Sequence, residues 1–147
     1  YFVKAFKKRW YVVAYSPGTD DIRCYALDRM ENVIITDKVF KMPKDLEPAD
    51  YFKDCFGIIN NKNSDVQKVV LKVDAFQSNY IRNLPLHDSQ KETKRTDEYS
   101  IFEYRLKPEF DFEQEIFSNM DAIEVLEPLW LREEVKERIR NLASKYL

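Results

Sequence analysis

What chemistry this sequence offers lies in arginine and tyrosine side chains gathered on one stretch. From Arg9 to Arg29 the chain reads RWYVVAYSPGTDDIRCYALDR. Tyr11 and Tyr25 present flat rings of the kind on which nucleic-acid bases stack. Arg23 and Arg29 present planar guanidinium forks that match phosphate oxygens two at a time. Lys8 and Arg9, with Lys4 and Lys7, place four positive charges and no acid in the first ten residues, a stripe suited to tracking a phosphate backbone. Each feature has a plainer reading. The arginines can pair with Asp20, Asp21 or Asp28, the tyrosines can be cross-strand packing, and the lysines can be a solvated turn. Trp10 falls on the face opposite Tyr11 and reads as core.

Other chemistry is poorly supported. His87 is the only histidine. Its neighbours Asp88 and Ser89 lie beside it on an extended stretch, where adjacent side chains point opposite ways, so no base–nucleophile pair forms and no catalytic residue is expected. The carboxylates of 109–115 and 133–137 read as solvated helix faces. No Cys/His cluster has metal-ligand spacing. Two glycines cannot build a phosphate loop, so neither metal nor cofactor is expected. Cys24 and Cys55, in unlike settings, read as reduced thiols packed as small hydrophobes, with the cytoplasm as the default compartment. The net charge of −2 excludes a chain that binds nucleic acid over its whole surface. Residues 61–147 carry 14 basic and 17 acidic side chains, so an anion site belongs near the N-terminal end. There is no apolar run of membrane-spanning length.

The elements that must position these residues follow from periodicity. Residues 1–6, 9–16 and 22–27 alternate as strands, with Ser16-Pro17-Gly18-Thr19-Asp20-Asp21 as a turn. Residues 28–36 read as a further strand with Val33 to Ile35 buried. Residues 48–56 read as a short helix opened by Pro48 and capped by Gly57. The polar run 60–66 reads as a linker. Residues 67–147 then follow a βαββαβα rhythm. Asp74 with Gln77 and Asp111 with Gln114 form capping-box patterns. Phe76, Tyr80 and Leu84 form one helical stripe, and Leu131, Val135, Ile139, Leu142 and Tyr146 another. Glu134–Arg138 is an i,i+4 pair.

Three stretches carry a resemblance. Trp10-Tyr11-Val12 followed by Arg23-Cys24-Tyr25-Ala26-Leu27-Asp28-Arg29-Met30 resembles the signature of WYL-domain proteins, with Val at 12 and Met at 30 as mild apolar exchanges. Leu84 to Gln90 and Val125 to Glu134 resemble stretches of that family's C-terminal extension. The family consists mostly of bacterial transcriptional regulators with an N-terminal helix-turn-helix, a WYL domain built as an Sm-like small β-barrel, and a ferredoxin-like extension. The resemblance implies an α+β chain: a partial Sm/SH3-like barrel over 1–59 and a ferredoxin-like βαββαβα extension over 67–147. The chain starts mid-strand without methionine, which reads as a fragment lacking the strands that close the barrel. The barrel remnant is therefore expected to stay open or be completed by a neighbour.

The expected role is effector sensing and dimerisation. A nucleic-acid or nucleotide effector would contact Tyr11, Arg23, Tyr25 and Arg29, with Lys8 and Arg9 as secondary contacts. DNA would be read by an upstream helix-turn-helix. The competing role is a ligand-free dimerisation or scaffold module.

Overall fold

The computed structural model describes residues 1–147. Alternating aromatic and β-branched residues give three strands at the start: β1 (Phe2–Phe6), β2 (Arg9–Ser16) and β3 (Asp21–Ala26). They form an antiparallel sheet in the order β1-β2-β3. β1 and β3 do not pair, so the sheet is open at both edges. Its buried core is small: Val13, Phe52 and Cys55, with Phe2, Ile22, Cys24 and Tyr51 packed against them. The two cysteines thus share one setting, contrary to the sequence reading. Both are free thiols, and burial pushes the Cys55 thiol up to about 11.

Phe6 pairs with Arg9, leaving Lys7 and Lys8 as a two-residue hairpin loop. Both have positive φ, 45° and 65°, the conformation that hairpin twist demands and that Asn-Gly normally supplies. Lys7 is compensated by an ion pair to Glu115 at 2.8 Å; Lys8 makes no ion pair. Replacing Lys8 with glycine should therefore raise stability by about 1 kcal/mol, read as a higher urea midpoint at unchanged slope. A lower midpoint would show that the Lys8 side chain contributes contacts that outweigh the strain.

After β3 comes a 3-10 turn, Leu27–Arg29. Residues 30–46 form neither helix nor strand, and Ile35 is fully exposed. The strand expected over 28–36 is absent for a physical reason. A strand exists only with a partner for its backbone groups, and none pairs here. The helix α1 (Pro48–Phe52) is a turn shorter than its apolar pattern suggested. Gly57 does not cap it with a left-handed residue, since no glycine has positive φ. Gly57 is instead a point of close approach: a Cβ there would lie 2.4 Å from the Phe6 ring and 2.6 Å from Asp111 Oδ2.

The remainder is β4 (Gln67–Asp74), α2 (Ala75–Asn83), β5 (Lys91–Arg95), β6 (Tyr99–Leu106), α3 (Phe110–Ser118), β7 (Ile123–Glu127) and α4 (Leu129–Ala143). The four strands form a second antiparallel sheet in the order β5-β6-β4-β7. Thirteen buried residues make its core, from Val69, Leu71 and Val73 through Phe102, Tyr104 and Phe112 to Leu131 and Val135. The molecule is therefore α+β, with antiparallel sheets and four α-helices.

The capping reading holds at one helix and fails at another. Asp74 accepts from the Gln77 N–H at 2.7 Å. Asp111 caps nothing: the N-cap of α3 is Glu109, without a side-chain bond. The α2 stripe is also inverted. Phe76, Tyr80 and Leu84 are exposed, and α2 buries Ser78 and Ile81. The small Ser78 lets the helix approach closely, its hydroxyl donating to the Val73 carbonyl at 3.1 Å. On α4 the stripe is buried only at Leu131 and Val135; Ile139, Leu142 and Tyr146 are exposed.

The two sheets are joined firmly. Phe6, Phe56, Phe112 and Tyr104 form a chain of edge-to-face rings running from β1 to β6, with centroids 5.6 to 6.2 Å apart. Asp111 Oδ2 accepts from the backbone N–H groups of Ile58 and Ile59 at 3.0 and 3.3 Å. The Lys107 ammonium donates to Asn60 Oδ1 and the Asn61 carbonyl. The polar run 60–66 is thereby stitched to α3 and its approach.

Candidate functional site

Strand alternation and register decide what each face of the first sheet presents. Val12 lies opposite Tyr25, Ala14 opposite Arg23, and Ala5 opposite Trp10. Those residues, with Val3, form one face. Tyr11, opposite Lys4 and Ala26, shares the other face with Val13, which is opposite Phe2 and Cys24. That second face is the one covered by Phe52 and Cys55. The sequence reading thus has the pair reversed. Trp10 is not core: it is 56% exposed. Tyr11 is half-buried on the inner face and is not on the surface that carries Arg23 and Tyr25. The outer face offers Trp10 and, diagonally across the strands, Tyr25, 40% exposed. Val3, Val12 and the alanines lie between and beside them.

The arginines escape the aspartates that could have neutralised them, because each of those has another partner. Asp20 accepts from the Tyr15 hydroxyl at 2.7 Å. That bond, above all, raises the Tyr15 phenol above its ordinary range. Asp21 pairs with Lys62, which holds its carboxyl below the ordinary range despite some desolvation. Asp28 pairs with Arg9 at 3.3 Å. Arg23 donates only to Thr19 Oγ1, at 3.0 Å, and Arg29 makes no hydrogen bond or ion pair. The two do not form a single fork. Three residues of strand, roughly 10 Å, separate Arg23 from Ala26 before the 3-10 turn carries the chain on to Arg29. Arg23 shares its face with Tyr25, whereas Arg29 ends the 3-10 turn beyond the strand.

The basic stripe is dispersed. The Lys4 ammonium sits 4.5 Å from the centroid of the Phe52 ring on the inner face. Lys7 is paired with Glu115 and Arg9 with Asp28. Lys8 alone of the four remains uncommitted, at the tip of the hairpin.

Beside β3 a cleft of about 470 Å³ is lined by Arg23, Cys24, Tyr51 and the connector residues Ile58 to Asn61. Tyr51 donates to the Ile22 carbonyl at 3.4 Å, and its phenol is raised to about 12, chiefly by burial. This cleft ties the β3 edge to the same connector whose amides Asp111 holds. Nothing in the sequence announced it, because its walls come from separate segments, β3 and a connector more than thirty residues further on.

His87 has a structural assignment. The Ser89 backbone N–H donates to Nδ1 at 3.1 Å, so Nδ1 accepts and Nε2 carries the proton. Nε2 then donates to the Lys53 carbonyl at 2.8 Å. The ring is a strut between the end of α1 and the approach to β5. Gln90 completes the stretch, accepting from the Leu86 N–H and the Tyr104 hydroxyl and donating to the Ile81 carbonyl. No group of three or more His, Cys, Asp or Glu is placed to hold a metal ion. No helix is long and apolar enough to cross a membrane.

Comparison with protein families agrees with this arrangement. The WCX domain matches residues 65–143, more than half of the chain, and the WYL domain matches residues 1–35. No curated protein matches the chain. Both domains belong to regulatory families rather than to enzyme families. The Trp10-Tyr11 strand, the Arg23 to Arg29 return and the second sheet with its WCX match together mark the chain as a member of the WYL-domain regulator family.

Proposed function

We propose that this chain is the effector-sensing and dimerising region of a WYL-type transcriptional regulator, and that its effector is a single-stranded nucleic acid or nucleotide held on the outer face of the first sheet. Trp10 and Tyr25 are the stacking platform, and Arg23 and Arg29 contact the phosphates on either side. Lys8 is an outlying contact; Tyr11 supports the sheet from within. The observation that carries this reading is the exposure of Trp10 and Tyr25 on the face that also carries Arg23, with Arg29 following in the next turn and neither arginine paired to a carboxylate, on an otherwise acidic chain.

Three further parts of the reading belong with it. The open three-stranded sheet is taken as part of an Sm-like barrel over 1–59. The β5-β6-β4-β7 order supports a ferredoxin-like arrangement over 67–147, with 60–66 as the link. DNA is read by an upstream helix-turn-helix, in the cytoplasm. Effector binding changes the pose of the second sheet through the connector 57–61, which requires that the effector bind one pose more tightly than the other.

The test is a titration with a short oligo-dT, followed by anisotropy of a labelled strand and by quenching of Trp10 in a Trp130→Phe background. Trp10→Ala should weaken binding by about 1–3 kcal/mol, the usual worth of one base–aromatic stack. Arg23→Ala with Arg29→Ala should weaken it and flatten its salt dependence, while Tyr11→Phe should leave it unchanged. Binding that is absent, or insensitive to both Trp10 and the arginines, defeats the reading. In that case the ligand-free dimerisation role remains, favoured by the exposed apolar stripe of α2.

A further inference from the structure

We infer that the outward face of α2 is the contact through which two copies of this chain associate, helix against helix about a two-fold axis. This rests on the dimerisation part of the proposed function and names the surface responsible. Phe76, Tyr80 and Leu84 stand at i, i+4 and i+8, exposed by 71, 58 and 79%. The first two rings meet edge to face with centroids 5.4 Å apart. Beside them runs the row Asn79 and Asn83, and the two rows bound a groove of about 360 Å³.

Three observations select a second copy as the occupant. The first is charge. In a chain that is 34% charged, no residue of this groove carries a charge. The only charged residue of α2, Arg82, is turned away, its guanidinium held by both oxygens of Glu92 at 2.7 and 2.8 Å. A two-fold contact sets a patch against its own image, so any charge there would meet its like. An uncharged patch is self-complementary. The cleft beside β3, by contrast, is lined by Asp21, Arg23 and Glu109 among others.

The second is shape. The stripe 76-80-84 is an i±4 ridge and the space beside it is an i±4 groove, the combination that packs two helices at about −50°. Each ridge enters the other copy's groove. The Tyr80 hydroxyl and the Asn83 amide have no hydrogen-bond partner within the chain, so they are available to bond across the axis. The third is area. Three large side chains this exposed amount to roughly 350–400 Å², close to half of the ~800 Å² that each partner of a stable interface contributes. The patch is sized as the apolar centre of such an interface.

Sedimentation velocity and cross-linking on the full 147-residue chain test the assignment. The wild-type chain should be dimeric at micromolar concentration. Leu84→Glu and Tyr80→Glu should each weaken association at least tenfold with unchanged circular dichroism, because both side chains lie outside the core. Asn83→Cys should form an intermolecular disulfide on mild oxidation; both native thiols are packed against the small core and serve as the background control. Ile139→Glu, on the mixed-charge face of α4, should leave the dimer intact. A wild-type chain that stays monomeric defeats the dimerisation reading and this surface with it. A dimer that survives both α2 substitutions, fails to cross-link at 83, or is lost on Ile139→Glu defeats this surface alone and leaves dimerisation standing elsewhere.

Discussion

Replacing Gly57 with alanine should destabilise the protein by about 3 kcal/mol, although the position requires no glycine backbone. Its φ is not positive, so alanine brings no conformational strain. By reducing unfolded-state entropy it would ordinarily stabilise by about 0.4–1 kcal/mol. The loss is steric. The new methyl would stand 2.4 and 2.7 Å from two atoms of the Phe6 ring and 2.6 Å from Asp111 Oδ2. Neither neighbour can yield cheaply. The Phe6 ring is set edge-on against Phe56, itself packed on Phe112. The Asp111 carboxylate is fixed by the amides of Ile58 and Ile59. Making room costs either the ring contact or the paired hydrogen bonds. Gly18 is the internal control: nothing lies within 4 Å of a Cβ there, so Gly18→Ala should be neutral or slightly stabilising. Urea unfolding of the two variants measures the difference. Partial rescue of Gly57→Ala by Phe6→Leu would identify the ring as the obstacle, and equal effects at the two glycines would disprove the close approach.

These residues show why the sequence was legible in some places and opaque in others. Alternation in 9–27 is a local property, so the strands and the co-facing of Arg23 with Tyr25 could be read directly. Which face turns inward is not local. Both faces of β2 carry an aromatic residue, and the choice is made by Phe52, at the end of the distant helix α1, and Cys55, just beyond it, which cover Val13. Trp10 and Tyr11 were therefore exchanged. The same ambiguity inverted α2. The apolar stripe 76-80-84 outweighed Ile81 in any count of hydrophobic residues, yet the face carrying Ser78 approaches the sheet more closely. The segment 31–36 has strand composition without a strand to pair with, and composition cannot supply a partner. Asp111 fits the capping-box pattern, but a capping bond and a long-range bond to residues 58 and 59 look alike in sequence. The resemblances to the WYL domain and to its C-terminal extension were carried by short motifs, and one of them has acquired a physical reason: His87, Ser89 and Gln90 each hold backbone of a neighbouring element.

The Asp111 carboxylate should behave as a hydrogen-bond acceptor whose charge is a burden, and two substitutions separate those properties. It is 5% exposed, and its Oδ1 has no hydrogen-bond partner. Burial raises its carboxyl above the ordinary aspartate range, opposed by the amides of Ile59, Ile58 and the first turn of α3. The sign of the pH effect follows. With the folded-state value above the unfolded 3.8, the native chain holds a proton that the unfolded chain has released. Stability from this group is then full below the unfolded value and declines as pH rises through the folded one. Once ionised, the carboxylate is a desolvated charge that those amides compensate only in part. Asp111→Ala should cost about 3 kcal/mol, because it strands the Ile58 and Ile59 N–H groups in a part-buried setting. It should also open residues 58–65 to limited proteolysis. Asp111→Asn keeps a carbonyl oxygen for those amides and removes the charge. Its stability at neutral pH should lie within about 1 kcal/mol of wild type, and the decline in stability that Asp111 contributes as pH rises through its titration should disappear. If asparagine proves as damaging as alanine, the ionised form is what holds the connector, and the joint between the sheets is an electrostatic one. If asparagine restores the joint, geometry alone fixes residues 58 and 59. The pose of the second sheet would then be insensitive to pH above the titration of Asp111, leaving it to respond to whatever occupies the outer face of the first.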